Sequence, residues 1–237
     1  MLRLRTVANT ALVAACGLAL GACQSTGGTA KVTTKQMQQA MSPAAVLADL
    51  KAGNRRFASG NSTQFDWLSQ AETTAAEGQF PKAIVLSCLD SRVPVEAVFD
   101  QGIGDVFVGR VAGNFENVDM LGSFEFGTAV AGSKLIVVLG HTSCGAVLGA
   151  IDRAELGNLT PTLANIEPAI QMVSHTEAER TSSNTEFANK VIEANVRKTV
   201  SDIKSRSAVL SGLVNEGKLM IVGGVYDLET GKVNWLN

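Results

Sequence analysis

The sequence has few of the residues on which many binding and catalytic functions depend. Its 237 residues include only 2 histidines and 4 cysteines, and aromatic residues make up 5%. The net charge is −2 and no basic run occurs, so the charge pattern of a nucleic-acid-binding protein is absent. Hydrophobic residues account for 46%, which is enough for the core of one sizeable domain.

The amino terminus resembles the export signal of bacterial lipoproteins. Arg3 precedes an apolar run, 7–20, that is too short for a comfortable membrane span. Small residues then precede Cys23, as in a lipobox. We therefore predict a signal peptide over 1–22 and a lipid on Cys23, the alternative being an ordinary signal peptide with a chance cysteine. Gln24 is not the aspartate that retains lipoproteins in the inner membrane, so we expect an exported, periplasmic protein anchored to the outer membrane.

The rest of the chain divides into a linker and a domain. Residues 23–41 are rich in small and polar residues and predict a flexible tether, whereas 42–237 predict one domain. Strands are expected at 82–88, 105–110, 135–140, 219–226 and 232–236. Helices are expected at 42–59, 67–77, 94–99, 117–132 and 144–152, and in a helical region, 160–215, with a break near 174–185. This alternation predicts an α/β fold with a mainly parallel central β-sheet flanked by helices, with an N-terminal helical arm.

Two motifs follow predicted buried strands. Cys88 comes after the apolar run 83–86, and His141 and Cys144 come after the run 135–139. Parallel strands would bring the three side chains to one sheet edge, where open α/β sheets bind their ligands. Two thiolates and one imidazole form a set of zinc ligands that leaves the fourth coordination position open.

The cysteine count leaves a disulfide as the alternative to a metal site. Cys16 would leave with the signal peptide and Cys23 would take lipid, so Cys88 and Cys144 remain in an exported protein. A bond between them would not account for His141.

Asp90 and Arg92 complete the first motif. The carboxylate can ligate a metal or accept a proton from bound water, and Arg92 can hold it in a bidentate grip that keeps it ionised. The alternative is a structural ion pair that fixes the loop.

Together these motifs resemble the β-class carbonic anhydrases. The resemblance rests on C-x-D-S-R at 88–92 and H-x-x-C-G at 141–145, and it continues through 100–105, 110–114 and 225–227. It implies the fold of that family and a homodimer or dimer of dimers. It also implies reversible hydration of CO2 to bicarbonate and a proton, by attack of zinc-bound hydroxide.

The resemblance also implies roles for single residues. One Zn2+ per chain would be bound by Cys88, His141 and Cys144, with water as the fourth ligand or Asp90 in a closed form. Asp90 and Arg92 would form the catalytic dyad. Three kinds of substrate contact are implied. Gln79 would bind substrate across the dimer interface, and Gly145 would donate its N–H to bicarbonate. A small apolar CO2 pocket would be lined by Phe107, Ala112 and Phe126.

One departure from the family concerns regulation. Some bacterial members bind bicarbonate outside the active site through a Trp, an Arg and a Tyr. Arg110 and Tyr226 match two of these, but Val85 occupies the Trp position, so we do not expect that site. The alternative is that both residues serve the fold, with Arg110 paired with a carboxylate and Tyr226 packed in the core. His175 is the only other histidine that could carry protons away, and a plain surface histidine is the expected alternative.

Two other functions stay open at this point. The same scaffold could hydrolyse carbonyl sulfide or carbon disulfide, which only a panel of substrates would distinguish. A non-catalytic zinc- or bicarbonate-binding lipoprotein is the second alternative, and the presence of Asp90, Arg92 and Gln79 together argues against it.

Overall fold

A single five-stranded sheet organises the structure, a computed structural model that describes residues 31–236. The strands are β1 (Ala83–Ser87), β2 (Val106–Arg110), β3 (Leu135–His141), β4 (Met220–Tyr226) and β5 (Val233–Leu236). Their order is β2-β1-β3-β4-β5; the first four are parallel and β5 is antiparallel to β4. The predicted α/β fold with a mainly parallel sheet is therefore confirmed.

Helices cover both faces of this sheet. They are α1 (Lys35–Ala40), α2 (Pro43–Ala58), α3 (Trp67–Glu77), α4 (Val95–Val98), α5 (Val118–Glu125), α6 (Gly145–Ile151), α7 (Leu159–Ala164), α8 (Glu167–Gln171), α9 (Thr185–Arg206) and α10 (Ala208–Asn215). A π-helical turn, Phe126–Val130, continues α5. Over residues 31–236, no helix has the length and apolar character needed to cross a membrane.

Local chemistry sets several helix boundaries. Ser42 caps α2, because its Oγ accepts a hydrogen bond from the Ala45 N–H at 3.2 Å, and Pro43 follows as the first helical residue. Ser207 separates α9 from α10: its backbone leaves the helical region and its Oγ accepts from the Leu210 N–H at 3.1 Å. The predicted helical region 160–215 is thus divided into four helices.

The core has two layers because side chains along a buried strand alternate between the faces of the sheet. Leu86 of β1 and Val138 of β3 belong to the layer that α9 covers, whereas Val85 and Val137 belong to the layer that α2 covers. All five residues of β1 and all seven of β3 are buried. These apolar runs therefore form the centre of the sheet, as parallel strands do.

The strand register brings the carboxyl ends of the central strands to one edge. Ser87, the last residue of β1, lies beside Arg110 of β2 and Leu139 of β3. His141, the last residue of β3, lies beside Tyr226 of β4. Residues that follow β1 and β3 therefore meet at this edge.

The predicted tether, 23–41, is wrong over its described part, residues 31–41. Thr34 caps α1, and Gln38 is 4% exposed because its Nε2 donates hydrogen bonds to carbonyl oxygens of Pro81 and Ala131, both at 2.8 Å. Thr33 is also buried and bonds to Asp105. Polar composition predicted flexibility, but these polar groups have specific partners in the domain. The predicted signal peptide and Cys23 lie outside the described residues.

Candidate metal centre

Three side chains meet at the carboxyl edge of the sheet. Cys88 follows β1 directly, His141 ends β3, and Cys144 immediately precedes α6; all three are buried. One ligand atom from each lies within 4.8 Å of the other two. Both cysteines are free and their sulfurs are 3.9 Å apart, so the disulfide alternative is wrong for this structure.

The His141 ring has one nitrogen paired and one available. Its Nδ1 lies 2.9 Å from the Thr142 carbonyl oxygen, so this nitrogen is the one that carries hydrogen. Its Nε2 is buried and has no hydrogen-bond partner among residues 31–236. An unpaired buried nitrogen is costly unless something binds it, and a metal-binding histidine has this arrangement. The donor set therefore fits zinc.

The two thiols differ in their readiness to lose a proton. A hydrogen bond from Cys144 lowers the pKa of Cys88 from 9.0 to about 4 against the opposing effect of burial, with further help from His141 and from the Gly113 backbone. The pKa of Cys144 is raised, because it shares a proton with Cys88 and is itself buried. The pair of cysteines thus favours one thiolate, the form that binds metals.

Asp90 and Arg92 form a bidentate pair beside the ligands. Arg92 Nε donates to Asp90 Oδ1 at 2.9 Å and Nη2 donates to Oδ2 at 2.7 Å. These bonds lower the pKa of Asp90 from 3.8 to about 2. Asp90 Oδ2 lies 3.8 Å from His141 Nε2, so the carboxylate borders the metal position while it is held by Arg92.

Arg110 holds the loop that carries two of these residues. Its Nε donates to the Cys88 carbonyl oxygen at 2.9 Å and its Nη2 donates to the Asp90 carbonyl oxygen. Sequence reasoning left Arg110 between pairing with a carboxylate and binding bicarbonate. Arg110 instead holds two backbone carbonyl groups. The sequence feature that could have indicated this role is the position of Arg110 at the end of a predicted strand, at the same edge of the sheet as Cys88.

The other residues of the regulatory motif lie in the core. Tyr226 is 5% exposed and packs against Phe57, and its carbonyl oxygen accepts from the Thr142 N–H at 2.9 Å. Val85 is fully buried in β1. Tyr226 thus serves the packing around β3, as the simpler alternative predicted.

The predicted substrate-binding residues lie in separate places on one chain. Phe107 and Phe126 line an open, largely apolar pocket of about 790 Å³ beside β2. Ala112 is half-buried in the turn that contacts Cys88, and Gly145 begins α6. Gln79 is exposed in the connection from α3 to β1.

Two of the remaining predicted residues have distinct surroundings. At Gly145, an added Cβ would meet no described atom within 4 Å, so space is open in front of this residue. His175 lies between α8 and α9, where its ring packs on Phe187 and its Nδ1 contacts the Val173 carbonyl oxygen. His175 is therefore part of a local packing arrangement.

Comparisons with known proteins agree on one family. Residues 83–233 match the family model described as carbonic anhydrase. Carbonic anhydrase 2 of Mycobacterium tuberculosis is 36% identical over 195 residues, which cover 80% of this chain and 91% of that protein. The β-carbonic anhydrase CafA of Aspergillus fumigatus has a similar structure, with a TM-score of 0.63, 24% identity, and coverage of 82% and 90%. A structure from a study of two tetrameric β-carbonic anhydrases of Sordaria macrospora is also similar, with a TM-score of 0.61 and 21% identity. The match covers 81% of this chain and 95% of that one.

Proposed function

This chain belongs to the β-class carbonic anhydrase family, and we propose that it catalyses the reversible hydration of CO2 to bicarbonate and a proton. The observation that carries the proposal is the convergence of two free thiols and the unpaired His141 Nε2 at one buried position. Cys88, His141 and Cys144 would hold one zinc ion per chain. Zinc bound there would supply a Lewis acid that makes water acidic enough to act as a nucleophile near neutral pH.

Asp90 would orient the attacking water. Because its pKa is about 2, the carboxylate is ionised throughout the physiological range and can only accept hydrogen bonds. Arg92 fixes both carboxylate oxygens in position, and Arg110 holds the backbone beneath them. A water molecule that donated a hydrogen bond to Asp90 would keep a lone pair free for attack on CO2.

Substrate binding would combine apolar and polar groups. CO2 has no net dipole and enters apolar surroundings readily, which suits the largely apolar pocket that Phe107 and Phe126 line. Ala112 would contribute from the turn that contacts Cys88. Bicarbonate needs a donor, and the backbone N–H of Gly145, an exposed residue at the start of α6, would supply it. Product would then be exchanged for water.

A second copy of the chain would complete the site. Val118, 74% exposed, and Phe126, 57% exposed, line the pocket beside β2, which borders no further strand in the described part of the chain. Val130, also 74% exposed, ends the π-helical turn that begins at Phe126. A dimer that covered these side chains would bury this apolar surface and could bring Gln79 of one chain to the active site of the other. A dimer or dimer of dimers is thus the proposed assembly, and its mass in solution tests it.

The N-terminal sequence supports a proposal about location. Arg3, the apolar run 7–20 and Cys23 have the pattern of a lipoprotein signal, so we place the mature protein in the periplasm on a lipid anchor. Incorporation of labelled palmitate in cells, lost in Cys23→Ser, tests this proposal. Labelling that persists in Cys23→Ser, or no labelling of the wild type, would contradict it.

The first test of the enzymatic function is stopped-flow CO2 hydration on purified protein whose zinc content has been measured. About one zinc per chain and rapid hydration that is lost on removal of zinc by a chelator are the expected results. One zinc per chain without hydration at any pH would overturn the proposal. Carbonyl sulfide and carbon disulfide would then be the next substrates to assay.

A further inference from the structure

A buried polar connection links helix α9 to the sulfur of Cys88. Asn195, in the middle of α9, is 1% exposed, and its Nδ2 donates to the Gly113 carbonyl oxygen at 2.8 Å. The Gly113 N–H in turn donates to Cys88 Sγ at 3.4 Å. Two hydrogen bonds therefore join a helix outside the metal site to one of its proposed ligands.

The backbone at Gly113 needs contacts with other segments to fix its orientation. Its φ is +88°, and a Cβ there would lie 2.6 Å from Ile166 Cδ1, so only glycine fits. Glycine rotates about its backbone bonds more freely than other residues, so the two peptide groups that flank Gly113 would not hold their relative orientation unaided. The bond from Asn195 holds its carbonyl group, while a bond from the Asn114 N–H to the Val111 carbonyl oxygen at 3.0 Å closes the turn.

The presence of an amide at position 195 is otherwise unexplained by packing. Its neighbours on the buried face of α9, such as Val191, Ile192 and Val196, are apolar. Asn195 Oδ1 has no hydrogen-bond partner within residues 31–236, so burial of this side chain has a cost that an apolar residue would avoid. The bond to Gly113 is the interaction that only the amide supplies.

We infer that Asn195 is a positioning residue of the metal centre, acting through the Gly113 backbone to keep an N–H donor directed at the Cys88 sulfur. A hydrogen bond to a ligating thiolate draws charge from the sulfur and fixes its position relative to the other ligands. The inference rests on the proposed zinc-dependent function, but it concerns how the chain holds the metal, which can be measured without turnover.

The test compares variants at two positions one turn apart on α9. Asn195→Leu removes the donor at similar size, and Asn195→Ser shortens the side chain so that it no longer reaches the Gly113 carbonyl oxygen, with less demand on packing. Thr199→Val is the matched control, because Thr199 is fully buried and its Oγ1 has no hydrogen-bond partner in the described part of the chain. The measurements are zinc affinity, by competition with a chelator, and the sulfur-to-metal charge-transfer band of the cobalt-substituted protein.

Both Asn195 variants are expected to bind zinc about 10-fold more weakly and to shift the cobalt band, while Thr199→Val leaves both values unchanged. If Asn195→Leu does not fold, Asn195→Ser decides the question by the same two measurements. Folded Asn195 variants with wild-type affinity and an unshifted band would overturn the inference, as would equal changes in Thr199→Val. Wild-type protein that binds zinc without hydrating CO2 would overturn the proposed function, and these metal measurements would still decide the role of Asn195.

Discussion

Polar atoms are treated in opposite ways at the two edges of the sheet. At the carboxyl edge, Cys88 and Cys144 are free thiols and His141 Nε2 has no hydrogen-bond partner in residues 31–236. At the amino edge, Gln38 donates to the carbonyl oxygens of two segments that lead into β1 and β3, and Ser133 Oγ donates to the Pro81 carbonyl oxygen at 2.8 Å. At the carboxyl edge, ligand atoms stay available, whereas at the amino edge the polar side chains form hydrogen bonds with backbone carbonyl groups of the same chain.

This difference indicates that the carboxyl edge serves ligand binding and the amino edge serves the stability of the fold. Unpaired buried polar atoms are costly, so a fold tolerates them where a ligand completes them. Paired ones hold segments together and contribute to stability. Changes at the carboxyl edge should therefore affect metal binding and turnover most, and changes at the amino edge should affect the free energy of unfolding most.

The largest expected effect is loss of a metal ligand at the carboxyl edge. His141→Ala removes the nitrogen that fits zinc, so zinc content should fall and CO2 hydration should drop by at least about 1,000-fold. Metal analysis and stopped-flow assays measure both. Ser133→Ala, at the amino edge, should retain zinc and turnover; full zinc content and activity in His141→Ala would contradict the assignment.

A neighbouring change should separate metal binding from turnover. Asp90→Asn keeps the size of the side chain but removes the charge that accepts hydrogen from the attacking water. We expect zinc to remain bound and turnover to fall by about 100-fold or more. Unchanged turnover would remove Asp90 from the mechanism, and loss of zinc would show that it is a required ligand.

The opposite edge should give the opposite result. Gln38→Ala removes the side-chain donor of the Ala131 carbonyl oxygen and leaves the Pro81 carbonyl oxygen with only Ser133 as its side-chain donor. It should lower the free energy of unfolding by about 2 kcal/mol, measured by chemical denaturation of the zinc-loaded protein. Zinc affinity and turnover should stay at wild-type values. Gln36→Ala, an exposed change on the same helix, is the control, and an equal loss of stability there would refute the role of Gln38.

Arg110→Ala sharpens the comparison within the carboxyl edge. Without the guanidinium, the carbonyl groups of Cys88 and Asp90 lose their clamp, so we expect about 10-fold weaker zinc binding in a chelator competition. Arg153→Ala, which breaks only an exposed ion pair, should have no such effect. If bicarbonate inhibits the wild type but not Arg110→Ala, Arg110 would serve an anion site instead.

The smallest effect concerns acid stability near the amino edge. Burial opposes ionisation of Asp100, which precedes β2, but hydrogen bonds from Arg56 and Thr63 outweigh it and place the pKa of Asp100 below its ordinary 3.8. Such a group stabilises the fold above that value, and its contribution is lost as the pH falls toward the lower, folded-state pKa. Asp100→Asn should therefore flatten the fall of unfolding free energy in acid, measured by denaturation at a series of pH values. An unchanged slope would contradict the pairing.

Sequence reasoning predicted the central strands and the ligand set but missed features that depend on distant partners. The apolar runs of β1 and β3 are local signals, and each motif follows its strand directly. Helix α1 has no apolar periodicity, and Gln38 pairs with residues 43 and 93 positions away along the chain. The contact between Asn195 and Gly113 spans 82 positions and has no local signal either.

The sequence by itself determined the order of strands and helices along the chain, the residue types offered as metal ligands and the family to which the chain belongs. These properties depend on neighbours in sequence, because apolar runs and short motifs are local patterns. Only the tertiary structure decided that the thiols stay free, that Arg110 clamps two carbonyl groups, and that the polar residues 31–41 pack as part of the domain. Each of these outcomes depends on which polar atom finds a partner, and buried hydrogen bonds join segments that the chain itself holds far apart.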